Sequence, residues 1–317
     1  MDADPITSID AVLPLAISGA KYYRVNLARC DILFTSLGRF AEPGLFRRIL
    51  IVVPRRDRRL IRAALSRWSS LPLDIIPEED ILPALRDYPR ASGWKCQQLL
   101  KLAAAALIRT PFYLTLDPDL VLCKPLRIAD IVVGGKAILE PEVRTKEPDW
   151  WRASAELLGL TVDLAKPGMA VTPALLSPQI CKRLFADLET GYGGDWATIL
   201  LEHVRSPWTE YTLYYLTGER HGLLERFHTV PAAGRPRLAC RSNVWYASEF
   251  SSWDVAGCFD VSDPGLFTVM QSNTGIPVDD VRERLRPYLP VRFGLMSKAA
   301  AEIVALGWPP ARRTRRG

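Results

Sequence analysis

No apolar run in this 317-residue chain reaches the roughly eighteen residues that a membrane-crossing helix requires. The opening MDADPITSID lacks a basic stretch followed by an apolar one, so it carries no secretory signal and points to a cytoplasmic protein. The six cysteines include no CxxC pair, and their spacing implies neither a zinc cage nor a disulfide framework. They are expected to be buried free thiols, because free cysteine behaves as a small apolar residue. A GxxxxGKS or GxxxxGKT loop is missing, and with it the glycine-rich cradle that many phosphoryl-transfer enzymes use. No internal repeat and no long linker interrupt the chain.

What is present is enough apolar residue, 48%, against 24% charged, to build a substantial core and to exclude disorder over most of the length. One continuous domain over residues 1–308 is the simplest organisation, followed by a basic tail at 309–317. The formal net charge of +6 is largely local, since Arg312, Arg313, Arg315 and Arg316 crowd the tail ARRTRRG. The rest of the chain is near neutral, and nucleic acid is not expected as a partner. A weak contact with an anionic membrane surface, at the inner face, is the alternative to a solvated tail.

The first half alternates β-branched runs with helical stretches: AVLPLAIS, RILIVVP, LDIIPE, the helix GWKCQQLLKLAAAALIR, then PFYLTLDPDLVL. Near-continuous apolar strands of this kind predict a doubly wound, mostly parallel α/β sheet covered by helices on both faces. After about Lys136 the pattern loosens. Helices are expected around DWWRASAELLGL, over 177–189, 195–204 and 209–217, and in PVDDVRERLRPYL, with extended pieces in MAVTPALLS and FTVMQS.

The most informative feature is YLTLDPDLVLCKP, where Asp117 and Asp119 directly follow an apolar strand. In extended backbone residues i and i+2 share a side, so the two carboxylates can converge on one cation. Mn²⁺ or Mg²⁺ takes oxygen ligands and often only one or two carboxylates, leaving its other positions to water and substrate phosphates. A turn with two solvated carboxylates is the plain alternative.

LTLDPDLVLCKPL resembles the strand-DxD-strand passage of GT-A glycosyltransferases. Together with GWKCQQLLKL, TEYTLYY and FTVMQS, it is similar to a family of bacterial proteins of unassigned function considered GT-A-like, over about Val12 to Leu289. That resemblance implies a GT-A-like fold with a donor half at about 10–135 and an acceptor half at about 136–300. It further implies a metal-dependent transfer from a nucleotide-sugar donor to a glycan, a glycolipid or a small hydroxyl acceptor, with Asp119 the principal metal ligand and Asp117 serving ribose or metal. Many members of the wider fold carry an acidic residue after the first strand, where this chain has SGAKYYR. Lys21 and Tyr22, with Tyr23 and Arg24, are the groups there that can stack on a base or reach a phosphate.

In the helix before the aspartates, Cys96, Leu99, Leu100, Ala103, Ala106 and Leu107 form an apolar stripe at about 100° per residue, opposite Trp94, Gln97, Gln98 and Lys101. That polar edge is expected to overhang the sheet and meet the donor, with Arg90 and Lys101 near its diphosphate. By the resemblance, Glu210 in TEYTLYY faces the acceptor as general base, with Tyr211 beside it. A favourable helix-dipole charge is the plain alternative for Glu210. Trp150 and Trp151 offer an apolar face for a sugar ring, although adjacent helix positions cannot both face one ligand. Gln271 and Ser272 are candidates to line the acceptor pocket, and His228 in ERFHTV to complete the metal shell. Nucleotidyl or phosphoryl transfer, a two-carboxylate hydrolase and a non-catalytic polyanion-binding module are the competing readings.

Overall fold

A computed structural model describes residues 6–17, 23–88, 93–169 and 171–289. Lys21, Tyr22, Arg90 and the tail 309–317 lie outside them, as do the side chains of Tyr23 and Arg24. The strands that position the site are β1 (Ile9–Pro14), β2 (Phe46–Val53), β3 (Leu73–Pro77), β4 (Tyr113–Thr115), β5 (Leu120–Leu122), β6 (Ala174–Leu176), β7 (His228–Thr229), β8 (Arg237–Ala239) and β9 (Gly265–Val269). The helices packed on them are α1 (Tyr23–Phe40), α2 (Arg58–Leu65), α3 (Gly93–Ala103), α4 (Pro148–Leu157), α5 (Pro178–Tyr192), α6 (Trp196–Glu202), α7 (Glu210–Arg220) and α8 (Val278–Leu285).

The main sheet runs β6-β4-β1-β2-β3, with β4, β1, β2 and β3 parallel and β6 antiparallel on the edge of β4. Its alternation explains the near-continuous apolar strands. Ala11 and Leu13 of β1, with Ile49, Ile51 and Val53 of β2, pack under α1 and α2, whereas Val12, Leu50 and Val52 pack with α3, α5 and α7. Both faces are therefore dry, as predicted for a doubly wound sheet. A smaller sheet, β8-β9-β5, has β8 and β9 parallel and β5 antiparallel to β9. Among the described residues no helix is long and apolar enough to cross a membrane.

The helix before the aspartates departs from expectation at both its end and its exposed face. Its α-turns stop at Ala103 and a 3-10 turn follows over Ala104–Ala106, leaving Ala106 exposed and Leu107 half-buried. The polar edge is also closed. Gln98 is 2% and Lys101 4% exposed, because α3 packs against both β1 and α7. The expected open face survives only at Trp94, which is 48% exposed.

Candidate active site

Asp117 and Asp119 stand where the chain leaves one sheet for the other. Leu116 N–H still donates to the Val12 carbonyl of the main sheet at 2.8 Å, while the Asp119 carbonyl already accepts from Met270 N–H at 2.9 Å, beyond the end of β9. Pro118 between them has no N–H to give to either ladder, which suits it to the crossover. Asp119 is 7% exposed. Its Oδ2 accepts from Ser272 N–H at 2.9 Å, and its Oδ1 is buried with no hydrogen-bond partner. Burial first, and then the charge of Asp117, push the Asp119 carboxyl up to about 6, against the opposing pull of Arg29 and the Ser272 N–H. The mutual repulsion is the electrostatic sign that the two carboxylates are close.

Beside them lies a buried ion cluster. Lys101 Nζ donates to Asp117 Oδ2 at 2.9 Å and to Glu210 Oε1 at 3.1 Å, and it lies 3.4 Å from the Tyr211 hydroxyl. That hydroxyl in turn bonds Thr115 Oγ1 at 2.8 Å. Burial alone would lower the Lys101 pKa, but Asp117, Tyr211 and Glu210 together hold it well above the ordinary value. Glu210 opens α7, with Thr209 as the cap accepting from Thr212 N–H, so the helix dipole favours its charge. Burial nonetheless raises its pKa, with Lys101 opposing and Asp117 adding to the rise. Sequence reasoning set Lys101 on the donor side and Glu210 and Tyr211 on the acceptor side. The structure joins all three in one cluster with Asp117.

One face of α3 leads from the surface into this cluster, since Trp94, Gln98 and Lys101 recur at helical spacing. Trp94 is the exposed end, and its ring centroid lies 6.1 Å from that of Trp150. These two tryptophans, assigned from sequence to opposite sides of the site, share one wall. Gln98 follows, with both Oε1 and Nε2 buried and lacking any hydrogen-bond partner. A buried amide in that state carries a desolvation cost that a polar ligand would relieve. Gln97 is half-buried.

Two other sequence candidates, Trp151 and His228, are held in core packing. Trp151 is 1% exposed, its ring packed edge-on to Tyr215 and so tight on Gly168 that a Cβ there would lie 2.2 Å from it. It is core and offers no face to a sugar. His228 sits in β7 with Nε2 bonded to the Tyr214 hydroxyl at 2.7 Å and its ring between Phe112 and Tyr214. Burial lowers its pKa to about 4, and among the described residues it joins no cluster of three potential metal ligands. The imidazole is engaged in core packing between Phe112 and Tyr214, which lends the expected role as third ligand no support. Ser272 meets Asp119 through its backbone N–H, and the Gln271 N–H is taken by the Val244 carbonyl.

Two basic residues escaped sequence reasoning. Arg29 of α1 is 2% exposed, donates to the Met270 carbonyl at 2.5 Å, lies close enough to Asp119 for each to shift the other, and keeps Nε and Nη2 buried without partners. Lys95 is buried with Nζ on the Trp208 carbonyl and 3.8 Å from the centroid of that ring; burial lowers its pKa to about 8, against the pull of Glu210. Neither stands out among 41 lysines and arginines, because only the packing of distant segments brings them to the carboxylates.

These residues suit a hard divalent cation. Carboxylate oxygens are its preferred donors, and the orphaned, buried Asp119 Oδ1 beside a second carboxylate is a place where positive charge is wanted. Lys101 and Arg29 compensate part of the charge of Asp117 and Asp119.

A mostly parallel sheet flanked by helices is a GT-A-like α/β fold. The chain belongs to the family of unknown function DUF6492, whose model matches residues 6–292. No curated protein sequence matches it. Among solved structures, mouse xyloside xylosyltransferase 1 in its apo form is similar at TM-score 0.50 and 15% identity, over 85% of this chain and 100% of that one. The apo bifunctional glycosyltransferase WbbM is similar at TM-score 0.49 and 10% identity, over 95% of this chain and 52% of that one, so the chain spans about half its length. The galactosyltransferase LgtC, with donor and acceptor sugar analogs, is similar at TM-score 0.49 and 9% identity, over 93% and 100%. The likeness to the xylosyltransferase is one of fold.

Proposed function

We propose that this chain is a metal-dependent glycosyltransferase that moves a sugar from a nucleotide-sugar donor to a hydroxyl of a glycan, a glycolipid or a small acceptor. The observation that carries the reading is the buried Asp117–Lys101–Glu210 cluster beside Asp119, whose Oδ1 has no partner. A GT-A-like fold shared with a xylosyltransferase supports it. Asp119, aimed by the Ser272 N–H, and Asp117 would hold Mn²⁺ or Mg²⁺, which when bound stabilises the charge that develops on a nucleoside-diphosphate leaving group.

The other residues act through their own chemistry. Lys101 neutralises Asp117 and orients Glu210. Glu210, its proton affinity raised by burial, accepts or orients the proton of the attacking hydroxyl. The orphaned amide of Gln98 reads hydroxyls of the donor sugar, and Trp94 with Trp150 gives the rim an apolar face on which a sugar ring stacks. In this reading the donor half, 10–135, supplies the aspartates, Gln98 and Lys101, and the acceptor half, 136–300, supplies Glu210 and Trp150. Nucleotide-sugars screened by thermal shift with and without Mn²⁺ test the proposal. Stabilisation by at least one of them, dependent on the metal, is expected; stabilisation by none would remove it.

A further inference from the structure

Three cysteines far apart in sequence meet in the smaller sheet. Cys123 follows β5, its N–H donating to the Leu266 carbonyl at 2.8 Å. Cys240 follows β8, its N–H donating to the Phe267 carbonyl at 2.7 Å. Cys258 comes from the short helix Val255–Phe259. The Cys240 and Cys258 sulfurs and an Asp263 carboxylate oxygen lie within 4.8 Å of one another, all three residues buried. The Cys123 thiol, 2% exposed as a residue, lies against both sulfurs.

From this geometry we infer that Cys123, Cys240, Cys258 and Asp263 form a structural zinc site, separate from the paired aspartates. The three thiols belong to the apolar cluster that holds Val244 and Trp253, and within it they converge on one another and on a buried carboxylate. The donor set, three soft sulfurs and one oxygen with no open position, is that of a closed tetrahedral zinc site. Zn–S bonds of about 2.3 Å put tetrahedral sulfurs about 3.8 Å apart, so the ligand atoms of Cys240, Cys258 and Asp263, within 4.8 Å of one another, need close by about 1 Å.

The surroundings are those of ligands held in place. Asp263 accepts from Arg241 N–H at 2.9 Å through Oδ2 and from Gly265 N–H at 2.7 Å through Oδ1, the outer hydrogen bonding that fixes a ligating carboxylate. Lys124 Nζ, anchored on the Cys258 and Gly265 carbonyls at 2.5 and 2.7 Å, offsets negative charge at the cluster. The site would clip β5, β8 and β9 together around the smallest of the three apolar clusters. Beyond the end of β9 are Met270 and Ser272, whose N–H groups hold Asp119.

The test is elemental analysis of the full chain, purified without chelators from zinc-supplemented medium, with native thiol titration before and after stripping by a strong zinc chelator. One zinc per chain is expected, with the three thiols reacting only after stripping, and zinc lost in Cys258→Ser. Should that variant not fold, the stripped wild-type chain is titrated with Co²⁺, and a thiolate-to-cobalt charge-transfer band is expected. A chain without zinc, a Cys240–Cys258 disulfide in the purified protein, zinc retained in folded Cys258→Ser, or no charge-transfer band would each overturn the inference. None of these readouts depends on nucleotide-sugar binding.

Discussion

Replacing Lys101 with methionine keeps most of the side-chain volume and removes only the ammonium. Its two carboxylate partners are 17% exposed at Asp117 and 5% at Glu210, against 5% for the lysine itself. Water can therefore take over little of what is lost, least of all at Glu210. Leaving buried charges unpaired typically costs about 3–5 kcal/mol, so Lys101→Met should lose about that much at neutral pH, as much as the roughly 2–5 kcal/mol of a buried Leu→Ala such as Leu100→Ala. Acid separates the two causes. The Glu210 pKa is already raised by burial, and without the ammonium it rises further. A raised folded-state pKa gives stability that is present at low pH and lost as pH climbs through it. The Lys101→Met deficit should therefore shrink as pH falls toward about 5, while the Leu100→Ala deficit, a cavity effect, should not change. Urea unfolding of both variants at the two pH values gives the answer. A Lys101→Met cost well under about 1 kcal/mol, the size of an exposed pair, would refute the buried cluster, and a large cost that is the same at both pH values would assign it to packing.

Three further outcomes follow from the same geometry. Glu210→Gln should leave donor affinity nearly intact and lower transfer by roughly 10²–10⁴-fold, the contribution of a general base; unchanged turnover, measured alongside nucleotide affinity, would strike Glu210 from the mechanism. Gln98→Leu removes a buried amide without partners, so it should stabilise the ligand-free protein by about 1–3 kcal/mol in chemical denaturation while weakening nucleotide-sugar binding; lost stability would mean that the amide is bonded in the protein. His228, its pKa lowered by burial to about 4, is neutral in both states above its ordinary 6.5, and as pH falls from there the unfolded chain takes up the proton first. Its share of stability, about 3 kcal/mol, is therefore lost between those values, and urea unfolding of His228→Phe across that range should show a shallower acid decline.

The parallel sheet was legible in the sequence because strands covered on both faces must be apolar at nearly every position, as β1 and β2 are. Helix boundaries fell within a few residues of expectation where caps mark them, as Ser177 and Asp195 do for α5 and α6. The aspartate pair could be singled out as a candidate from spacing alone, because its members are neighbours in the chain. Other features depended on contacts between distant segments. Periodicity divides α3 into apolar and polar faces but is blind to α7, which covers the polar one, so Lys101 read as open when it is buried between two carboxylates. Cys123, Cys240 and Cys258 have no motif spacing, and the short strands Leu120–Leu122 and Arg237–Ala239 that gather them are too brief to show a period. Arg29 meets Asp119 only across the fold.

In the proposed function, Asp119 with Asp117 holds a divalent cation against a diphosphate. Calorimetric titration of the full chain with a nucleoside diphosphate, in Mn²⁺ and in chelator, tests it most directly when paired with Asp119→Ala. Binding in Mn²⁺, weak or no binding in chelator, and loss of the metal-dependent component in the variant are expected, because without the cation the phosphates meet repelling carboxylates. Equal affinity in metal and in chelator, unaffected by Asp119→Ala, would contradict it.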